Sequence, residues 1–325
     1  MRYFDWKTFR KIYVLMKLKN IYWSNLLCNS SIDLTKVRSD KKSSGIYLDD
    51  FDIVISKLDH EFFLKGYHYA KTLRDAVGAE FSIGRSNEIL VELCGIKLHV
   101  QTSEELYILN EIFVENIYNI VITGKNPLLI WDIGMNVGFS SLFFAAKYTN
   151  CLIVSYEPFT QTYDRAMANF SLNPYLSDRI NAQNAGIGSS NKELSVEYCS
   201  EYKGSIGVSG VPKRLTNQNI KISREDILII EANEVLESIV SEYPNRDIIA
   251  KIDCEGSEYE ILECLFESDQ LQNINVIMLE WHYDGPQKIE ELLKKSGYLL
   301  FSFKPYNSGT GMIYAIRRNP VEKVI

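Results

Sequence analysis

The chain has 325 residues, of which 46% are hydrophobic and 24% charged, with a formal net charge of −7. That is the composition of a globular protein long enough to bury a sizeable core, and its acidic balance argues against a nucleic-acid partner. No run approaches the roughly 18 apolar residues of a membrane span, no secretory signal is visible, and none of the six cysteines forms a CxxC pair. A cytoplasmic location is expected.

Residues 1–45 hold ten Lys/Arg against three Asp/Glu, a net of +7, which leaves −14 for the rest. Phe9, Ile12, Tyr13, Met16 and Trp23 fall near one face of a predicted helix from Asp5 to Trp23. One reading packs that face on the protein itself. The other lays residues 1–27 on a partner or an acidic membrane surface, the inner membrane included. Residues 37–45 read as a polar linker. Phe51, Val54, Ile55, Leu58 and Phe62 recur at helical spacing, which predicts a helix over 50–65 capped by Asp49 or Asp50. More helix follows to about Val77. Residues 88–100 read as a hairpin turning at Cys94–Gly95. Thr102 and Glu105 form a capping box for a helix with Leu106, Leu109, Ile112, Phe113 and Ile117 on its apolar face.

Beyond Lys125, strand-like and helical runs alternate. Strands are predicted at Leu128–Ile133, Leu152–Tyr156, Ile180–Ala185, Ile248–Ile252, Val276–Leu279, Tyr298–Phe303 and Met312–Ile316. Helices are predicted over 138–148, 160–171, 231–243, 257–267 and 286–296. This alternation predicts an α/β fold with a doubly wound, mostly parallel seven-stranded sheet. No helix separates the last two strands, so they are expected as an antiparallel hairpin at one edge. Residues 186–230 are an insertion, and its stretch 202–207 reads either as a mobile lid or as a plain hairpin.

The most informative run is Leu129-Ile130-Trp131-Asp132-Ile133-Gly134-Met135-Asn136-Val137-Gly138. An apolar strand ends in an acid, and a small-residue loop then opens a helix; ligands bind at such strand ends. A dinucleotide needs G-x-G-x-x-G so that its pyrophosphate meets bare backbone. Here Asn136 and Phe139 occupy the second and third glycine positions, and Asp132 would face the phosphate. A sulfonium cofactor carries no phosphate and has an ammonium group that an acid would welcome. The next strand ends in Glu157-Pro158, where a carboxylate can accept both hydroxyls of a ribose.

These residues resemble the FkbM family of methyltransferases. Its pattern is matched by Asp132-Ile133-Gly134-Met135-Asn136-Val137-Gly138, by Glu157-Pro158, and by Lys251-Ile252-Asp253-Cys254-Glu255-Gly256-Ser257-Glu258, in that order. Met135 stands where the family usually has alanine. The resemblance spans roughly residues 88–318 and implies a class I, Rossmann-like fold, S-adenosyl-L-methionine as cofactor and O-methylation, often of sugars or natural products. The expected organisation is a helical extension over 1–85, a hairpin and helix over 86–125, and a cofactor-binding methyltransferase domain over 126–318. Asp132, Gly134, Asn136, Gly138 and Glu157 are the expected cofactor contacts, with Asn184 approaching the adenine.

The methyl group should lie above the ends of the first, fourth and fifth strands, where Asp253, Glu255, Glu258, Glu280 and His282 are the candidates for catalysis. Methyl transfer depends on alignment, and a hydroxyl acceptor also needs a base. His282 has the unperturbed pKa for that role; the competing reading makes it structural. Glu258 reads equally as a simple helix-start acid. Asp253, Glu280 and His282 could hold a divalent ion, but their spacing does not demand one and none is expected. Cys254, between two acids, is rejected as a nucleophile. The expected activity is methylation of a small-molecule or saccharide acceptor, a lipid-linked glycan precursor included. The alternative is a non-catalytic cofactor-binding scaffold that docks through its basic N-terminal helix.

Overall fold

A computed structural model describes residues 6–28, 32–56, 59–121, 126–213, 220–304 and 309–317. Asp5, Leu58, Lys125 and residue 318, which figure in the predicted boundaries and elements, lie outside that set. The chain divides into two compact units, Met1–Ile117 and Tyr118–Ile325.

In the first unit the predicted N-terminal helix is two helices, Trp6–Leu18 and Ile21–Leu27. Asn20 breaks the run because its side chain caps the second helix, accepting from the N–H groups of Tyr22 and Trp23. The first helix buries only Val14 and Leu18. Arg10 reaches inward to the Leu27 and Ile32 carbonyls, while Trp6, Phe9, Ile12, Tyr13 and Met16 are exposed. The face picked out by the apolar spacing is therefore split: Phe9, Ile12, Tyr13 and Met16 are outward, while Trp23, on the second helix, is buried.

The predicted linker contains strand β1 (Val37–Ser39), which pairs with β2 (Ile46–Leu48) and β3 (Ile53–Ile55). The helix expected over 50–65 is replaced by β3 and a short helix, Glu61–Lys65. Ile53 and Ile55 point inward with Val54 half-buried, a period of two that the helical spacing had masked. Asp50 caps nothing; it accepts from Tyr67 and pairs with Arg74. Phe51, Phe63, Tyr67 and Phe81 close the local core edge-to-face. A strand not foreseen, β4 (Glu80–Ile83), joins the predicted hairpin β5 (Ile89–Leu93) and β6 (Ile96–Val100). The capping box of Thr102 and Glu105 is formed, and its helix, Ser103–Phe113, ends before Ile117.

The second unit carries a seven-stranded sheet. Its parallel strands are β7 (Leu128–Ile133), β8 (Cys151–Tyr156), β9 (Ile180–Gln183), β13 (Asp247–Ile252) and β14 (Val276–Trp281), and β15 (Tyr298–Phe303) and β16 (Gly311–Arg317) complete it. The spatial order is β9-β8-β7-β13-β14-β16-β15. Strand order runs outward both from β7 and from β13, so right-handed crossovers place helices on both faces and open a switch point between these two strands. This is the class I methyltransferase arrangement. The C-terminal hairpin is present, but β16 lies inside the sheet, antiparallel to β14 and β15. β7 and β13 are buried on both faces over five of their six residues, as central parallel strands require. Each buried Leu or Ile there contributes on the order of 1.5–3 kcal/mol.

The insertion is a small sheet of β10 (Gly186–Gly188), β12 (Ser223–Glu231) and β11 (Lys192–Tyr198), in that spatial order. Its core of Val196, Tyr198, Ile227 and Ile229 packs with Phe159, Ile206 and Val211. That holds the stretch 202–207 against the end of the main sheet.

Candidate cofactor and acceptor site

The loop after β7 is tied to β8 by its backbone, with Gly134 and Met135 N–H both donating to the Tyr156 carbonyl at 3.0 Å. Gly134 has φ +79°, and a Cβ there would stand 1.9 Å from the Asp253 carbonyl oxygen. Only glycine lets the loop lie on the end of β13. Asn136 follows with φ +50°, and its side-chain Oδ1 is buried without a hydrogen-bond partner.

Glu157, at the end of β8, is 6% exposed. One of its carboxylate oxygens accepts the Asn136 N–H and the other the Phe159 N–H, each at 3.1 Å. Burial pushes its pKa up to about 7 against the pull of those two amides.

Asp132 sits beneath the loop with no exposed surface. Its Oδ2 accepts from the hydroxyls of Ser140 (2.7 Å) and Ser141 (2.6 Å), in the first turn of the helix Phe139–Lys147. Its Oδ1 lies 3.4 Å from Lys251 Nζ. Lys251 is 2% exposed, donates to the Gly134 carbonyl at 2.5 Å and stands 3.6 Å from Asp253 Oδ2. Burial alone would lower the pKa of this lysine, but Asp132 and Asp253 outweigh it and the net direction is upward. Lys251 is thus the post on which loop, strand and acids are hung. It was not singled out as a site residue, although a lysine inside Ile-Ile-Ala-Lys-Ile signals a buried, paired charge.

Past β13, Asp253 accepts from Tyr118 at 3.0 Å. Glu258, with no exposed surface, accepts the backbone N–H of Gly256 (2.8 Å) and of His282 (2.6 Å), and its Oε1 is 3.0 Å from His282 Nδ1. His282 is therefore fixed by a buried carboxylate, and its Nε2 points toward Glu255 Oε1 (3.6 Å) and Glu280 Oε1 (3.8 Å). Burial works against charge on this ring, yet the Glu258 bond, Glu255 and Asp253 raise its pKa to about 10. For Glu280, burial and then Asp253 push the pKa up to about 7.

A cleft of about 620 Å³, counting the part open to solvent, runs along the switch point. Gly134, Asn136, Glu157, Asp253 and Glu255 line it; Asp132, Gly138, Asn184, Glu258, Glu280 and His282 do not. Asn184 donates instead to the carbonyls of Glu157 and Pro158, and the wall near it is Phe159, Gly186 and Ile187. Lys203, Ile206 and Gly207 form the opposite wall, so the stretch 202–207 stands over the cleft. A Cβ on Gly207 would come 2.2 Å from the Glu255 carbonyl oxygen, which requires glycine there. Ser257 also lines the cleft, and its buried hydroxyl has no hydrogen-bond partner; in the sequence nothing marks it beyond its place in the motif.

Comparisons with known proteins agree with this architecture. The chain is 28% identical to methyltransferase sdnD of Sordaria araneosa over 60% of its length and 82% of that protein. It is 25% identical to the hexuronic acid methyltransferase AglP of Haloferax volcanii, over 69% of this chain and 87% of the other. Methyltransferase 1 of Beauveria bassiana is 24% identical over 61% of the chain and 83% of its own length. The methyltransferase FkbM domain model matches residues 132–300, slightly more than half of the chain, and the protein belongs to the FkbM family of methyltransferases.

Proposed function

We propose that the protein is an S-adenosyl-L-methionine-dependent O-methyltransferase acting on a sugar hydroxyl of a glycan or glycan precursor. The observation that carries this is the pairing, along one cleft, of an under-satisfied polar end with an acidic end. At the first end, the Glu157 carboxylate is buried and Asn136 Oδ1 and Ser257 Oγ are buried without hydrogen-bond partners, which fits a cofactor with a ribose diol and an ammonium group. At the second, Asp253 and Glu255 offer carboxylates to a polyhydroxylated acceptor.

When bound, the cofactor supplies an activated methyl on sulfur. Glu157 would then accept the ribose hydroxyls, and Asn136 Oδ1 and the loop backbone would hold the amino-acid portion. Asp132 acts through Lys251 by fixing the loop and does not touch the ligand. Asp253 and Glu255, on the cleft wall, would orient the acceptor and take up its proton, and Glu258 would hold His282 in register beside them. The hexuronic acid acceptor in the name of AglP supports a saccharide here. Calorimetric titration with S-adenosylhomocysteine, followed by a methyl-transfer screen over hexoses and hexuronic acids, tests the reading. Micromolar binding with transfer to a sugar is expected; binding with transfer only to non-saccharide acceptors would remove the sugar from the proposal.

A second element concerns location. Trp6, Phe9, Ile12, Tyr13 and Met16 are all at least 40% exposed, on a helix that also carries Lys7 and Lys11, while Arg10 and Lys17 turn to backbone carbonyls of the same unit. Exposed aromatics rimmed by lysine are the pattern of a helix lying in an anionic lipid interface. Among the described residues no helix is long and apolar enough to cross a membrane, so docking through this helix would bring the enzyme to a lipid-linked acceptor. Flotation with phosphatidylglycerol-containing vesicles is expected to carry the wild type, with phosphatidylcholine vesicles and the Phe9→Glu/Met16→Glu variant failing. Equal flotation of that variant would dismiss the idea.

A further inference from the structure

We infer that Asp253, Glu280 and His282 form a site for one divalent cation of the Mn²⁺ type, next to the acceptor end of the cleft. The inference extends the methyltransferase reading and rests on it for the cation's use, though not for its binding.

The geometry comes from two adjacent strand ends. One ligand atom from each of the three residues lies within 4.8 Å of the other two. An octahedral cation with bonds of about 2.1 Å has ligands roughly 3 to 4.2 Å apart, so side-chain shifts of about half an ångström would close the shell. Asp253 follows β13 while Glu280 and His282 sit at the end of β14, and only the pairing of these two strands brings them together, which is why their spacing along the chain does not call for an ion.

His282 supplies the independent observation. Its side chain is 4% exposed, and Nδ1 is engaged by the fully buried carboxylate of Glu258. That carboxylate is itself fixed by two backbone N–H groups, of Gly256 and His282. A carboxylate on one ring nitrogen is the usual way in which a metal-binding histidine is oriented, with the other nitrogen left to the metal. Here the other nitrogen, Nε2, makes no hydrogen bond. Its polar neighbours, Glu255 Oε1 at 3.6 Å and Glu280 Oε1 at 3.8 Å, are too far for one. They are at distances that a shared cation would bridge.

The charge is compatible with a cation: Asp253, Glu255, Glu258 and Glu280 converge here against Lys251, which Asp132 also engages, and against His282, whose ring gives up a proton when it binds a metal. Two carboxylates with one imidazole suit Mn²⁺ better than Ca²⁺, which takes oxygen alone, or a thiolate-loving ion. Asp253 lines the cleft, so the open coordination positions would face an acceptor oxygen.

The test is titration of the purified, chelator-treated protein with Mn²⁺, followed by the loss of the free-ion electron paramagnetic resonance signal. One equivalent should bind in the wild type, and Glu280→Gln and His282→Gln should each weaken it tenfold or more. Glu260→Gln, an acid on the following helix that pairs with Lys192, should leave it unchanged. No stoichiometric binding, or binding indifferent to both ligand substitutions, would overturn the site. S-adenosylhomocysteine binding in the presence of chelator is measured on the same samples. If the nucleoside binds and Mn²⁺ does not, the cation falls and the methyltransferase reading stands; if folded protein binds neither, both fall.

Discussion

Asp132 and Asp253 look alike in sequence, each an acid that ends an apolar strand, yet they meet opposite fates. Asp132 is sealed under its loop by Ser140, Ser141 and Lys251. Asp253 keeps 27% of its side chain open and lines the cleft. Lys251 lies between them and touches both. A strand-end acid thus becomes a ligand group only if no neighbouring element has already satisfied it. The first acid shapes the site and the second works in it.

The sharpest way to break this contrast is to remove the shared cation. Lys251→Met leaves Asp132 buried opposite an uncharged group, which costs about 3–5 kcal/mol as read by chemical denaturation. Adding Asp132→Asn should recover more than half of that loss, because the stranded charge is removed. If Lys251→Met proves neutral, Asp132 is not a buried, paired acid and the distinction between the two strand ends collapses.

On the working side, Glu255→Gln should lower kcat by about 10²- to 10⁴-fold, the usual span for a group that handles a proton in the transition state. Affinity for S-adenosylhomocysteine should stay within a few-fold, since Glu255 belongs to the acceptor end of the cleft. A parallel loss of nucleoside affinity would mean that the two ends of the cleft are not separable.

Glu157 gives a comparison within a single side chain, because stability and binding should move in opposite directions. Its folded pKa of about 7 lies above the ordinary 4.5, so the protonated acid is the form that the ligand-free fold prefers. The stability it contributes is full below pH 4.5 and is lost as pH rises through 7. Glu157→Gln should therefore stabilise the ligand-free protein at pH 8, by up to about 3 kcal/mol, and make little difference at pH 4.5. The same substitution should weaken S-adenosylhomocysteine binding about 10- to 100-fold, the loss of charge-assisted hydrogen bonds. Thermal melts at the two pH values, with and without the nucleoside, read both effects.

What could be read in advance follows the same division. The strands of the main sheet and the glycine loop are local features: unbroken apolar runs such as Leu128–Ile133 and a turn that only certain residues can make. Their bounds are legible to within two residues. The region from 37 to 65 was not, because Phe51, Val54, Ile55 and Phe62 fit one helix by count, while in space Val54 and Ile55 belong to a three-residue strand, Phe51 to a turn and Phe62 to a separate short helix. The partners of Asp132 were illegible for a different reason. Lys251 lies more than a hundred positions away and meets it only through the pairing of β13 with β7. The pinning of His282 by Glu258 likewise depends on two strand ends that sequence spacing does not relate. The outward face of the helix Trp6–Leu18 shows the limit of amphipathicity, which locates an apolar stripe without saying what covers it.

The smallest expected effect separates the cofactor end from mere imperfect packing. Ser257 Oγ is buried in the cleft wall without a partner, and an unmet hydroxyl costs on the order of 1 kcal/mol. If it waits for the ligand, Ser257→Ala should weaken S-adenosylhomocysteine binding several-fold while leaving the ligand-free protein as stable or slightly more so. If it is only a packing flaw, the stability gain should appear with affinity untouched. Asn136→Ala, which removes the other orphaned acceptor in the same wall, should in the first case weaken binding as Ser257→Ala does, on top of the stability it loses because alanine is costly in the left-handed region. In the second its effect would have to come through the loop, where its φ of +50° makes alanine costly, and that loss would appear in the melt before it appeared in the titration.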